Sequence, residues 1–288
     1  MTVSILINNY NYGHFLDECL LSIQNQTVKP DEVILYDDGS TDNSLEVVSK
    51  YNFVKVIANK NFGEKPSFNQ GNAINQAFKE STGQIIILLD SDDFFDPKKV
   101  ESVKYHFENN KSLVFLQDSY FEYYSKDNFS KKSNTKIDFN YLKLYQRENW
   151  TAYFNPTSMM SFSRDYLEKQ LPITVDDFWR VWPDVRLSRI APYFGDICML
   201  DEAYTYYRRH LSSDSATMNA SHQKALENQI AHHEYINKKL ISLGFEKINF
   251  TKSIPFKRYK LRLKYPEKVI RYILLPSKII HFIKNIFT

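Results

Sequence analysis

The sequence predicts an α/β fold built on a mainly parallel central sheet flanked by helices. Short apolar, β-rich runs recur at residues 3–7, 33–36, 53–58 and 85–89, the pattern of strands covered on both faces. Segments with apolar residues at helical spacing lie between them. Polar or acidic residues follow three of the runs directly: Asn8-Asn9-Tyr10-Asn11, Asp37-Asp38-Gly39-Ser40 and Asp90-Ser91-Asp92-Asp93. In a parallel sheet with right-handed crossovers those positions share the edge where ligands bind.

Residues 14–26 place Phe15, Leu16, Cys19, Leu20 and Ile23 on one helical face. Leu45, Val47 and Val48 predict a second helix, with Ser40, Thr41 and Asp42 available to cap it. Residues 66–79 read as a third helix that Gly83 breaks, and Pro97 as the first position of a fourth. Beyond about residue 110, residues 113–124 predict an aromatic-rich strand pair and 126–140 a polar loop. Further strands are expected over 150–162 and 197–207, and helices over 184–190 and 220–243, the last stopped by Gly244.

The chain has 288 residues, 43% hydrophobic and 25% charged, with 37 Lys+Arg against 34 Asp+Glu. That composition excludes wholesale disorder. Two cysteines, Cys19 and Cys198, cannot form a disulfide framework or a zinc site, and fit a reducing compartment. The N-terminal apolar run turns polar at Asn8, too soon for a signal peptide, and no long uninterrupted apolar run predicts a transmembrane helix. The net charge of +3 hides an asymmetry. Residues 252–288 carry ten Lys/Arg and one acid, Glu267, leaving 27 basic against 33 acidic residues over 1–251, a net −6.

Asp90 and Asp92, spaced i, i+2 on a tight turn, suit one hard divalent cation, Mn²⁺ or Mg²⁺. A solvated turn capping the next helix would use the same residues. Asp37-Asp38-Gly39-Ser40-Thr41-Asp42 carries the same ambiguity between turn chemistry and ligand binding. The ordered set decides the reading. Ser4-Ile5-Leu6-Ile7-Asn8-Asn9-Tyr10-Asn11, Ser22-Ile23-Gln24-Asn25-Gln26-Thr27, Val33-Ile34-Leu35-Tyr36-Asp37-Asp38-Gly39-Ser40, Asn69-Gln70-Gly71 and Leu88-Leu89-Asp90-Ser91-Asp92-Asp93 together resemble the family 2 glycosyltransferases. The likeness is strong over residues 2–110 and weaker over 150–215.

The resemblance implies a GT-A fold, with a nucleotide-sugar-binding half at 1–110, an acceptor-binding half carrying the catalytic base at 111–215, and a helical region at 216–288. It implies that Tyr10 and Asn11 lie near the nucleotide base. Asp37 or Asp38 would accept a hydrogen bond from a uracil or thymine N3–H. Asp90 and Ser91 would lie at the ribose, and Asp90 and Asp92 would hold the metal on the diphosphate. The sequence departs from the family where Asn8 replaces Pro, and where Phe68 replaces the Arg before Asn69-Gln70-Gly71. Lys65 stands three residues ahead of Phe68 and is the available substitute.

An inverting transferase needs a carboxylate to deprotonate the acceptor hydroxyl. The family's element for it is matched best by Trp182-Pro183-Asp184-Val185-Arg186-Leu187, giving Asp184 as the base, with Asp176 and Asp177 as rivals and helix capping as the structural reading. Tyr207-Arg208-Arg209-His210 resembles an element that closes over the diphosphate, with Arg208 on the nucleotide and His210 able to complete the metal shell. The processive signature Q-x-x-R-W is absent, so one sugar is transferred per encounter. Trp150, Tyr153, Phe154, Trp179 and Trp182 are candidates for stacking on a sugar acceptor or for core packing.

The expected activity is thus metal-dependent transfer from a nucleotide-diphosphate sugar, UDP favoured and dTDP possible, to a glycan or lipid-linked acceptor in bacterial surface polysaccharide synthesis. A nucleotidyltransferase would want a Gly-rich basic loop after the first strand, where Asn8-Asn9-Tyr10-Asn11 stands. A non-catalytic binding module is the remaining alternative. The basic, amphipathic stretch from about 252 predicts contact with an anionic membrane surface, hence a cytoplasmic protein peripheral on the inner face of the membrane. No recognition motif accompanies that charge, so nucleic acid is not an expected partner.

Overall fold

The computed structural model describes residues 1–132, 154–210 and 222–249, together with residue 261. The chain divides into two compact units, residues 1–143 with 153–210, and 144–152 with 211–288.

The first unit opens with β1 (Val3–Asn9), α1 (Gly13–Gln24), β2 (Glu32–Asp37), α2 (Ser44–Val48), β3 (Val54–Ala58), α3 (Pro66–Lys79) and β4 (Ile85–Asp90). The four strands pair in parallel in the order β3-β2-β1-β4, as strand–helix alternation demands. Alternate residues of each strand face opposite helices. Ile5 and Ile7 pack in a cluster with Leu16, Cys19, Leu20 and Ile23 of α1. Leu6, Ile34 and Leu88 pack with Ala73, Ile74 and Ala77 of α3. Burial of each such Leu or Ile stabilises the fold by roughly 1.5–3 kcal/mol.

The later elements are β5 (Phe94–Phe95), α4 (Lys99–Asn109), β6 (Leu113–Ser125), β7 (Asn128–Lys132), β8 (Met160–Ser163), α5 (Arg164–Gln170), α6 (Pro183–Ser188) and β9 (Asp196–Arg208). They extend the same sheet to β3-β2-β1-β4-β8-β6-β9-β5, with β7 on β6. This half is mixed: β8 is antiparallel to both β4 and β6, whereas β6 and β9 run parallel.

Three local expectations change. Residues 113–125 form one long strand whose hairpin partner, β7, lies at 128–132, inside the stretch expected to be a polar loop. Cross-strand contacts such as Tyr123 and Phe121 with Phe129 stabilise it despite its Lys and Ser residues. The α4 helix begins at Lys99, because Asp96 first turns the chain by accepting from the Lys98 and Lys99 N–H groups. Of the strand expected over 150–162, the described part is a 3₁₀ turn at Thr157–Met159 leading into β8.

In the second unit, α7 (His222–Ser242) ends at Gly244, whose φ of +78° is the left-handed stop expected of glycine. Ile248 folds back onto that helix through two hydrogen bonds with the Asn237 amide, at 2.7 and 3.0 Å. The basic stretch from about 252, Trp150 and Tyr153 lie outside the described residues, apart from Leu261 in that stretch. Among the described residues no helix is long and apolar enough to cross a membrane.

Candidate active site

The parallel strands end side by side, and their polar ends are tied to one another before any ligand is considered. After β1 the chain turns through Asn11, which adopts φ +55°, a left-handed conformation that Asn tolerates better than most residues. Its side-chain oxygen accepts from the Thr41 and Asp42 N–H groups at 2.7 and 3.3 Å. Its own N–H donates to Ser40 Oγ at 2.9 Å. Asp42 accepts from Gly13 N–H and from the Ser44 N–H and hydroxyl, serving the starts of both α1 and α2. The expected cap residues thus join two loops instead of capping one helix. Tyr10, just after β1, is 48% exposed.

Asp37 and Asp38 are both buried. Asp37 accepts from Asn9 Nδ2 and from the Ser40 N–H and hydroxyl, three bonds that nearly fill its acceptor capacity. Asp38 accepts from Asn61 Nδ2 at 3.0 Å and Phe62 N–H at 2.9 Å, and burial raises its pKa. Gly39 makes this close approach possible. Its φ is +78°, and a Cβ there would stand 2.4 Å from the Asn61 nitrogen.

Asp90 ends β4 and Asp92 and Asp93 follow it, and one ligand oxygen from each lies within 4.8 Å of the others. They are not equivalent. Asp93 is fully buried and already engaged, accepting from the Ser158 hydroxyl at 2.5 Å and the Arg208 N–H at 2.8 Å. Asp92 Oδ2 pairs with His210 Nε2 at 2.8 Å. Asp90 Oδ1 accepts from Gln70 Nε2 at 2.8 Å, and its N–H donates to Ser158 Oγ at 3.0 Å. Burial, then the charge of Asp92, pushes the Asp90 pKa up to about 7. Burial and the same neighbours raise Asp93 well above the carboxylate range. Carboxylates crowded this way in low dielectric favour a cation between them. Asp90, which also accepts from the Asn8 side chain, and Asp92 are the partly exposed members of the cluster, and their oxygen donors fit Mn²⁺ or Mg²⁺, with His210 adjacent.

Asp184 sits in the first turn of α6, where its Oδ1 accepts from the Val185 N–H at 2.8 Å. It is close enough to Asp90 for its charge to raise that residue's pKa. Burial raises the Asp184 pKa, opposed by the Arg189 guanidinium, and burial lowers Arg189 in turn to about 10. The two rivals have other situations. Asp176 is clamped by Arg186 through two bonds of 2.8 Å, and Asp177 is exposed on the loop.

Other expected site residues hold neighbouring structure. Asn69 Oδ1 accepts from the Glu64 N–H at 3.1 Å. The Ser91 N–H donates to the Asn8 carbonyl at 3.2 Å. Lys65 precedes α3 with its Nζ 5.7 Å from the Trp179 ring. Arg208 has partners within the protein. Its guanidinium donates to the Asp92 carbonyl and to Glu18, and lies over the Phe15, Phe94 and Tyr123 rings. It braces the acidic turn through Asp92 and Asp93.

Sequence reasoning missed Gln70, Thr157 and Ser158, which orient the acidic turn. Gln70 stood inside a quoted motif, but nothing marked its side chain as the one reaching Asp90. It also missed the fully buried Lys99–Asp118 ion pair, which Thr205 and the Tyr204 N–H complete. At Phe68, where the family's Arg is lacking, the ring is buried with the Arg186 guanidinium 5.5 Å away.

Comparisons with known proteins bear on the family and the fold. The model of glycosyl transferase family 2 matches residues 4–171. An uncharacterized glycosyltransferase of Nostoc sp. is 29% identical, covering 90% of this chain and 82% of that protein. The Escherichia coli UDP-Glc:alpha-D-GlcNAc-diphosphoundecaprenol beta-1,3-glucosyltransferase WfaP is 28% identical over 74% of this chain and 80% of its own. Among solved structures, glucosyl-3-phosphoglycerate synthase from Mycobacterium tuberculosis, in complex with Mn²⁺ and uridine-diphosphate-glucose, matches with a TM-score of 0.53 and 16% identity, covering 85% of this chain and 80% of that chain. That likeness shows a shared GT-A fold.

Proposed function

The chain belongs to glycosyl transferase family 2, and we propose that it moves one sugar from a UDP-sugar to a saccharide acceptor with inversion at the anomeric carbon. Asp38 reads the uracil N3–H, for it has more acceptor capacity left than Asp37. Tyr10 and Asn11 flank the base, Lys65 and Asn69 stand by the phosphates, and Ser91 and Asp90 by the ribose. Asp90 and Asp92 hold a Mn²⁺ or Mg²⁺ ion, with His210 as a third ligand. Such an ion, when bound, supplies the positive charge that stabilises a departing diphosphate. Arg208, expected on the nucleotide, also keeps the Asp92–Asp93 turn in place.

Asp184 takes the proton from the acceptor hydroxyl as its oxygen attacks the anomeric carbon, and the bond to the nucleoside diphosphate breaks on the opposite face. The observation that carries this reading is the acidic cluster of Asp90, Asp92 and Asp93 with Asp184 near enough to perturb it. The acceptor is a glycan or lipid-linked saccharide of surface polysaccharide synthesis, a reading supported by the similarity to WfaP. The basic stretch beyond 252 would hold the enzyme at the anionic inner face of the membrane, where such an acceptor resides.

The test is slow hydrolysis of UDP-, dTDP- and GDP-sugars with Mn²⁺. UDP-sugars are expected to turn over, and Asp92→Ala to abolish both turnover and Mn²⁺-dependent UDP binding with the fold intact. Undiminished turnover in that variant would remove the metal site from the mechanism.

A further inference from the structure

Lys99 and Asp118 form an ion pair with no solvent exposure on either side chain. Neither belongs to the reacting groups described above. The three donors of the ammonium meet three acceptors: Asp118 Oδ1, the Thr205 hydroxyl at 3.3 Å and the Met159 carbonyl at 3.4 Å. The second Asp118 oxygen accepts from the Tyr204 N–H at 3.0 Å and the Thr205 hydroxyl at 2.9 Å. Desolvation of two ions offsets most of their attraction, so such a pair adds little net stability over an apolar pair of the same volume. What it supplies is direction, since every bond in the network fixes an angle as well as a distance.

The elements that the pair joins converge on the acidic turn. Tyr204 and Thr205 lie on β9, whose last residue, Arg208, donates its N–H to Asp93 at 2.8 Å. Met159 closes the 3₁₀ turn Thr157–Met159. The Asp118 carbonyl accepts from Asn155 Nδ2 at 2.7 Å just before that turn, and the Thr205 hydroxyl lies 3.4 Å from the Ser158 carbonyl. The side chains of the same turn meet the carboxylates. Ser158 Oγ accepts from the Asp90 N–H at 3.0 Å and donates to Asp93 at 2.5 Å. Thr157 Oγ1 receives the Gln70 amide that also holds Asp90. The buried pair thus holds the backbone of a turn whose side chains hold the acidic cluster.

We infer that Lys99 and Asp118 are positioning residues for the Asp90–Asp92 cation site and act through Ser158. This rests on the metal-dependent transferase reading above and adds what keeps the ligands of that site in place.

The experiment titrates the full chain with UDP by calorimetry, with and without Mn²⁺. The proteins are the wild type, Lys99→Met with Asp118→Leu, Thr205→Val, Thr205→Ser and Ser158→Ala, each at a temperature where its melting curve shows it folded. The readout is the affinity gained on adding Mn²⁺. A merely structural loss lowers the melting temperature and leaves that gain unchanged in the folded protein. The double variant is expected to lose about tenfold of the gain, the scale of one hydrogen bond to a charged group, and to keep its affinity for UDP alone. Thr205→Val keeps the shape of the side chain and removes the hydroxyl. It is expected to lose part of the gain, and Thr205→Ser to recover that part. Should the double variant not fold, Thr205→Val carries the same comparison. Combining Thr205→Val with Ser158→Ala is expected to cost no more than Ser158→Ala alone, because both act along one route. An unchanged Mn²⁺ gain in the folded variants, or losses that add to that of Ser158→Ala, would overturn the positioning role. A wild type whose UDP affinity does not respond to Mn²⁺ would overturn the metal reading, and this inference with it.

Discussion

Gln70 Nε2 donates to Asp90 Oδ1 at 2.8 Å and reaches Thr157 Oγ1 at 3.3 Å, so one side chain of α3 fixes the carboxylate at the end of β4. With Oδ1 held, the other carboxylate oxygen has a defined direction. Gln70→Leu is therefore expected to weaken Mn²⁺-dependent UDP binding by about tenfold, the scale of one hydrogen bond to a charged group. Isothermal titration with and without Mn²⁺ checks this. An unchanged affinity would mean that Asp90 keeps its orientation without the amide.

For Asp184→Asn the expectation is retained donor binding and transfer reduced by about 10²–10⁴-fold, the usual contribution of a positioned general base. Donor affinity and acceptor-dependent turnover are measured on the same sample. Asp177→Asn, on the exposed loop, is the comparison. Should that variant lose turnover while Asp184→Asn keeps it, the two roles exchange.

The Lys99–Asp118 pair has no exposure on either side chain, and burial pushes Lys99 down and Asp118 up in pKa while each partner opposes the shift of the other. Lys99→Met leaves a buried carboxylate without its cation. The expected loss is about 3–5 kcal/mol of stability, with part recovered in Lys99→Met, Asp118→Leu, because an apolar pair of similar volume avoids the desolvation cost. Urea unfolding measures both. Equal losses in the single and double variants would show that the surrounding hydrogen bonds to Thr205 and Tyr204 matter more than the charges.

The pH dependence of the metal-free protein follows from Asp90. Its folded pKa, about 7, is above the unfolded value near 3.8, so the folded state binds the extra proton between those limits. Its contribution to stability is fully present below the lower limit and is lost as pH rises through about 7. The melting temperature of Asp90→Asn is therefore expected to fall less than that of the wild type between pH 5 and pH 8. Added Mn²⁺ should raise the wild-type value more at pH 8, where the carboxylate is already free of its proton. Parallel melting curves for the two proteins would show that Asp90 titrates as an ordinary carboxylate.

Much of the site was legible in one dimension, because a parallel sheet converts strand ends into neighbours. Asn8 to Asn11, Asp37 to Ser40 and Asp90 to Asp93 each follow an apolar run, and β1 pairs with both β2 and β4 so that the three ends meet. The Asp184 assignment drew on a local element, and the fold brings it near Asp90. The supporting residues left no such trace. Ser158 reaches Asp93 across 65 positions, and Gln70 reaches Thr157 across 87. Lys99, beginning a helix with Lys and Glu about it, has the pattern of a solvated residue, yet it is fully buried. Phe129 sits in a Lys/Ser-rich stretch, yet that stretch is a strand, because β6 offers it an edge and aromatic partners.

By itself the sequence determined the alternation of the first half, the order of its polar strand ends and the family those ends resemble, all of which are local patterns read at fixed period. Only the tertiary structure decided which carboxylate is spent and which is available. Asp37 and the fully buried Asp93 are bonded at both oxygens, by Asn9, Ser40, Ser158 and the Arg208 N–H, while Asp90 and Asp92 are partly exposed and are held by Gln70, the Asn8 side chain and His210. The same logic set the Arg208 guanidinium against Glu18 and three rings. A carboxylate's chemistry depends on its burial and on the donors around it, and those donors come from distant parts of the chain whose approach no local pattern records.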